Sequence, residues 1–205
     1  INAVEPDSTM LIAAPLHDHY QRYSTFRVVD TNNGETSYAL GTGDTSDSTT
    51  MNASSGAART QFIIHATEIT GLSHVDAIQF NAQQAGSSMD RVTIRLKNTA
   101  ASDVLQMDNS GLTTVFDHAV QLTTGMNTLT LKQPFTYTSG QNILVDIAVE
   151  HHGSGPTPVL QATNIADPVV HAQREGHLAF HDGRVGVDPS VFSTVDNQIT
   201  ITFRA

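Results

Sequence analysis

From Asn142 to Glu150 the chain places Ile143, Val145, Ile147 and Val149 on one side and Leu144, Asp146, Ala148 and Glu150 on the other. A repeat of two is the pitch of an extended strand, whose successive side chains point to opposite faces. Asp90 to Lys97 repeats it, with Val92, Ile94 and Leu96 inward and Arg91, Thr93, Arg95 and Lys97 outward. Gln198 to Phe203 aligns Ile199, Ile201 and Phe203, and shorter cases are Phe62/Ile64/Ala66, Ile78/Phe80 and Leu129/Leu131. Arg22 to Val29 adds a fainter candidate. The polar clusters at 31–35, 81–88, 108–111, 138–142 and 151–158 supply the turns between them. No window carries a helical stripe. Clean alternation belongs to antiparallel sheets with one wet face, whereas buried parallel strands read as continuous apolar runs. The pattern predicts an all-β chain, an antiparallel β-sandwich of jelly-roll-like type. Val92, Ile94, Leu96, Ile143, Val145, Ile147, Ile199, Ile201 and Phe203 are its expected inter-sheet core.

Charged residues make up 15 % of the chain, so Thr, Ser, Asn and Gln must supply most of the polar surface. The formal net charge is −10, and Lys97 and Lys132 are the only lysines. Such a surface repels phosphate backbones and argues against a nucleic-acid partner, while it suits hard cations with oxygen ligands. With no cysteine, disulfides, thiolate metal sites and thiol nucleophiles are excluded. A secreted protein without disulfides is more often bacterial. No apolar run approaches the ~20 residues of a membrane-spanning helix.

A boundary is expected near residues 31–37, dividing an N-terminal arm (1–36) from a sandwich domain (37–205). The arm holds the apolar stretch MLIAAP and the strand candidate QRYSTFRVV. Leu11, Ile12, Tyr23, Phe26 and Val28 are the assembly candidates. An apolar strand beside a complete sandwich can add to a neighbour's sheet edge, and head-to-tail use of it builds a filament. The competing reading pairs Arg22–Val29 within its own sheet.

Several segments carry a resemblance. Tyr38–Phe80 runs from a Gly-Thr-Gly turn through a Ser/Thr loop to an Arg-x-Gln-aromatic strand, then an Ala-Thr-Glu-Ile corner and a strand ending Ile-Gln-Phe. DRVTIRLKNTAAS (90–102) follows. The most specific run is Gly125-x-Asn127-x-Leu129-x-Leu131-x-x-Pro134-Phe135-x-Tyr137, then Gly140-x-Asn142-Ile143-Leu144-Val145; NQITITFRA (197–205) closes the chain. Over roughly 38–205 this resembles a β-sandwich module that recurs in secreted and surface proteins of Bacteroidetes-type bacteria. NASSGA (52–57) stands where the family commonly carries aromatic residues, and residues 1–36 have no counterpart. The resemblance implies an exported, surface-attached module that binds or assembles.

Chemistry-bearing constellations are sparse. His17 and His19 flank Asp18, so an extended strand would put both imidazoles on one face, a geometry metals use. His151–His152 falls at a strand end, and His177 and His181 would align only on a helix. The Asp44–Asp47 stretch and the run from Asp103 to Asp108 are oxygen-rich but lack EF-hand spacing. They read as turns in which Asp bonds its own backbone, with a structural Ca²⁺ as the alternative. No cofactor is otherwise expected. Neither a GxSxG elbow nor an HExxH motif is present. Trp is absent, which weakens a glycan-binding platform. Arg91, Arg95 and Lys97 share a face with Thr93 and read as a solvated ladder of cross-strand charge pairs. The expected function is a non-catalytic, extracellular structural or adhesive module at a bacterial cell surface, linked into a filament or other assembly through its N-terminal strand. Self-association or other surface proteins are the expected partners. The alternative is a carbohydrate- or protein-binding accessory module of a larger secreted enzyme.

Overall fold

The computed structural model describes residues 37–40, 43, 45–48, 50–51, 56–151, 153, 155–175, 192–199 and 202–204, with side chains, Asp47 apart, as far as Ala162. The strands are β1 (Ser37–Ala39), β2 (Thr45–Asp47), β3 (Gly56–Ile64), β4 (His74–Gln84), β5 (Met89–Thr99), β6 (Thr113–Val120), β7 (Gly125–Thr136), β8 (Asn142–Glu150), β9 (Val159–Glu175), β10 (Phe192–Ile199) and β11 (Thr202–Arg204). Among the described residues the one helical piece is a 3-10 turn, Ala66–Glu68, at the Ala-Thr-Glu-Ile corner. No helix of the described residues is long and apolar enough to cross a membrane.

The pairings are antiparallel and build a β-sandwich. One sheet runs β6-β5-β8-β3 and continues onto the second half of β9; the other runs β7-β4-β11-β1. Strand β9 joins the two, because Leu160 and Val159 pair with Ala82 and Gln84 of β4 while residues 170–175 pair with β3. The inner faces share one core. Phe62 and Ile64 of β3, the alternate residues of β5 and β8, Ile78 and Phe80 of β4, and Leu129 and Leu131 of β7 all belong to it. Val92, Ile94, Leu96, Ile143, Val145 and Ile147 are completely buried, so the two most regular strands of the sequence form its centre.

Two expectations need correction. The run expected as a single strand from Gln198 to Phe203 is two: β10 ends at Ile199 and pairs with β9, while β11 starts at Thr202 and pairs with β1 and β4. The side chains of Ile199, Ile201 and Phe203, expected in the core, lie outside the described residues. The outer face of β8 is not wet either, since every residue from Ile143 to Glu150 is buried. The segment between β5 and β6 folds over that face, and Val104, Ile63 and Leu144 form a second apolar cluster with Met107 and Leu112 packed against it.

Side-chain bonds set the turns between β6 and β7 and between β7 and β8. Gly125 has φ 100°, and Asn127 accepts from the Thr123 N–H while donating to the Thr123 and Gly125 carbonyls. The Tyr137 hydroxyl donates to the Gln141 carbonyl at 2.6 Å. Asn142 donates to the Ala101 carbonyl and accepts from the Ala66 N–H, tying the roof to the 3-10 corner.

Candidate functional site

Register brings the chemistry together. Asp146 of β8 lies opposite Gln61 of β3 on one side and Arg95 of β5 on the other. One row along, the small Ala148 lies between Arg59 and Thr93, leaving room for the Arg59 side chain to fold back toward Asp146. Arg59 Nε donates to Asp146 Oδ1 at 2.6 Å, Gln61 Nε2 donates to the same oxygen at 2.7 Å, and Arg95 Nε donates to Oδ2. Asp146 is 0 % exposed and Arg59 1 %, which removes both from solvent. Desolvating such charges is costly unless hydrogen bonds satisfy them, and the geometry here supplies those bonds.

The roof completes the network. Gln61 pairs with Asp108 as a backbone would: its Nε2 donates to the Asp108 carbonyl at 2.7 Å and its Oε1 accepts from the Asp108 N–H at 2.8 Å. Arg59 Nη1 donates to Asn109 Oδ1 at 2.6 Å. Lys97 of β5 donates to Asp108 Oδ2, and Asp108 Oδ1 accepts from the Ser110 N–H at 2.8 Å. Partial burial pushes the Asp108 carboxyl up, but the Lys97 ammonium and the Ser110 N–H and hydroxyl outweigh it and hold it below its ordinary value. At the half-exposed edge Arg91 grips Asp117 of β6 through two bonds of 2.6 and 2.7 Å. The Asp117 bond raises the Arg91 guanidinium above its ordinary value against the opposing effect of burial, with the charges of Asp117 and Glu150 adding to the rise.

The cross-strand charge pairs expected for Arg91 and Arg95 are present, Lys97 pairs with Asp108 of the roof instead, and the middle of the face is not solvated. Thr93 is 3 % and Arg95 5 % exposed, because the roof excludes water from the middle of the ladder. Beside the network, and sharing Asp108 and Asn109 with it, the roof and the sheet leave an open cavity of ≈ 580 Å³. Ile63, Leu144 and Val104 line it together with Asp103, Gln106 and Asn109. Leu105, on the roof, is 72 % exposed, a large apolar side chain offered to solvent.

Leu11, Ile12, Tyr23, Phe26, Val28, His17, His19 and Asp44 lie outside the described residues. So do His152, His177 and His181. Asp47 ends β2 opposite Leu160, and its side chain is not described. His151 sits with Nδ1 3.8 Å from Asp90. Asp108 makes the self-bonding turn expected of its stretch, and both its carboxylate oxygens are engaged by Ser110 and Lys97. Among the described residues no three His, Asp or Glu side chains are grouped to hold a metal. A local chain of polar groups runs through Ser73, His74 and Asp76. Ser73 Oγ is 2.9 Å from His74 Nδ1, and Asp76 Oδ2 is 3.2 Å from Nε2, with the imidazole 43 % exposed. Reading by motif missed Asp146 as the hub. The signal was there: a carboxylate between Leu144 and Ala148 on a strand face with little else that wants water.

No family model, no curated protein and no solved structure matches this chain. The resemblance to the Bacteroidetes-type surface module therefore rests on its sequence motifs. The structure gives one of them a physical content: Arg59 and Gln61 are the Arg-x-Gln of the β3 strand, and both hold Asp146.

Proposed function

We propose that this chain is a non-catalytic structural or adhesive module working outside the cell at a bacterial surface, joined to its neighbours through the N-terminal segment. The observation that carries this reading is the use made of the charged face. Arg59 and Arg95 are engaged by Asp146, Arg91 by Asp117 and Lys97 by Asp108, which locks four strands and a roof together. A carboxylate with no exposed surface and three donors on it is a brace, because substrate cannot reach it. The product of that bracing is a stiff body with Leu105 exposed on its roof, the kind of scaffold that adhesion or assembly uses. The −10 net charge and the lack of cysteine fit a bacterial exported protein.

The cavity beneath the roof favours a second reading, an accessory module that binds a glycan or a peptide. Its apolar floor and its carboxylate and amide rim can orient a small ligand. Two measurements separate the readings. Ordered polymers of the full chain support assembly, whereas a monomer retained on a glycan or peptide array, with retention lost in Asn109→Ala, supports the accessory role. Turnover on a panel of ester, peptide and glycoside substrates that vanishes in Ser73→Ala or His74→Ala would overturn the non-catalytic reading altogether.

A further inference from the structure

The two sheet edges on one side of the sandwich, β6 and β7, are neighbours in space and differ in kind. A bare strand edge presents N–H and C=O groups that can template another strand, and Lys, Pro and irregular register are the usual defences. Strand β7 has all three. Phe135 lies opposite Val75 but Thr130 lies opposite Ala77, so β7 leaves the ladder over residues 131–134. That stretch carries Lys132, Gln133 and Pro134, each exposed. Strand β6 shares the irregular register, slipping twice against β5, but it has neither Lys nor Pro, and among the described strands it pairs with β5 alone. Its Thr113, Thr114, His118 and Ala119 are exposed.

We infer that β6 is the acceptor edge for residues 22–29 of a second copy of this chain. The inference rests on the assembly reading above and names the surface that reading lacks. Two observations point to this occupant. Arg22–Val29 is as long as β6, 8 residues, and alternates Ser24, Phe26 and Val28 on one face, so it can continue the sheet with its apolar side inward. Residues 22–29 also precede β1 in the chain, and β1 stands at the opposite end of the hydrogen-bonded strand order from β6. A donor rooted at one flank and an acceptor on the other give a heterologous contact, which repeats without closing and generates a filament.

Two variants of the full chain test this, since Ala119→Pro blocks the edge and Phe26→Asp with Val28→Asp spoils the donor. Each variant alone is expected to lose every species larger than a monomer in sedimentation. Mixed in equal amounts they should form heterodimers and nothing longer, because one supplies a sound donor and the other a sound β6. Ala119→Lys, which copies the defence of β7, serves as the gentler block should the proline variant lose its β-sheet circular dichroism; its polymers should begin only at higher concentration. Polymers as abundant as wild type in a folded Ala119 variant would overturn β6 as acceptor while leaving assembly standing. Polymers that survive the Phe26/Val28 substitutions would overturn the N-terminal arm as the donor and this inference with it, and a wild type that is monomeric throughout would overturn the assembly reading as well.

Discussion

Asp146 holds three strands at once, and each of its neighbours can be weighed by what its loss would strand. Removing one partner of a buried ion group leaves uncompensated charge, whereas an exposed pair is screened by water. Asp146→Ala is therefore expected to lower stability by about 3–5 kcal/mol in urea unfolding. Arg91→Ala, whose pair is 41 % and 31 % exposed, should cost at most about 1 kcal/mol. Equal costs would mean that the roof does not keep water from Asp146. The Asp108 carboxyl sets a pH signature. Its folded value lies below its unfolded one, so its contribution is complete above the ordinary carboxylate range and lost as the pH falls through the folded value. The stability gap between wild type and Asp108→Asn should thus shrink as the pH drops below about 4. A gap that widens there would contradict the pairing with Lys97.

Elements show why some parts were legible and others not. Strands β5 and β8 pair through an unbroken register over nine residue pairs, so their period of two reaches the sequence intact. Strand β6 hid because its register against β5 slips between Ile94 and Arg95, which buries Val115 and Phe116 side by side and breaks the alternation. The Pro134–Phe135 corner was readable since proline must sit where a ladder is interrupted. The candidate site was legible only in pieces. Arg59-x-Gln61 and the Arg91/Arg95/Lys97 face were visible, but the roof that buries them is made of short polar pieces with no period. Glycines test the connections. A Cβ on Gly86 would stand 2.3 Å from Pro158 Cδ and 2.4 Å from its backbone nitrogen, so the loops after β4 and before β9 are pressed together there. Gly86→Ala should cost about 1–3 kcal/mol through overpacking. Gly140, at φ 82° in the β7–β8 turn, meets nothing within 4 Å, so Gly140→Ala should cost only the left-handed strain of about 1–2 kcal/mol. Thermal unfolding of both variants checks the pair, and a neutral Gly86→Ala would mean the loops can part.

At the scale of the whole molecule, charge and edge act in opposite directions. Copies carrying −10 each repel at long range, while strand addition draws on short-range backbone bonds and apolar burial that salt does not screen. Raising ionic strength should therefore promote assembly. The most direct measurement is sedimentation velocity of the full chain across a wide concentration range at about 0.15 M salt. A series of species that lengthens past the dimer with concentration, and further when salt is raised, is expected of a sandwich that extends its neighbour's sheet. One monomeric species at every concentration and salt would contradict it.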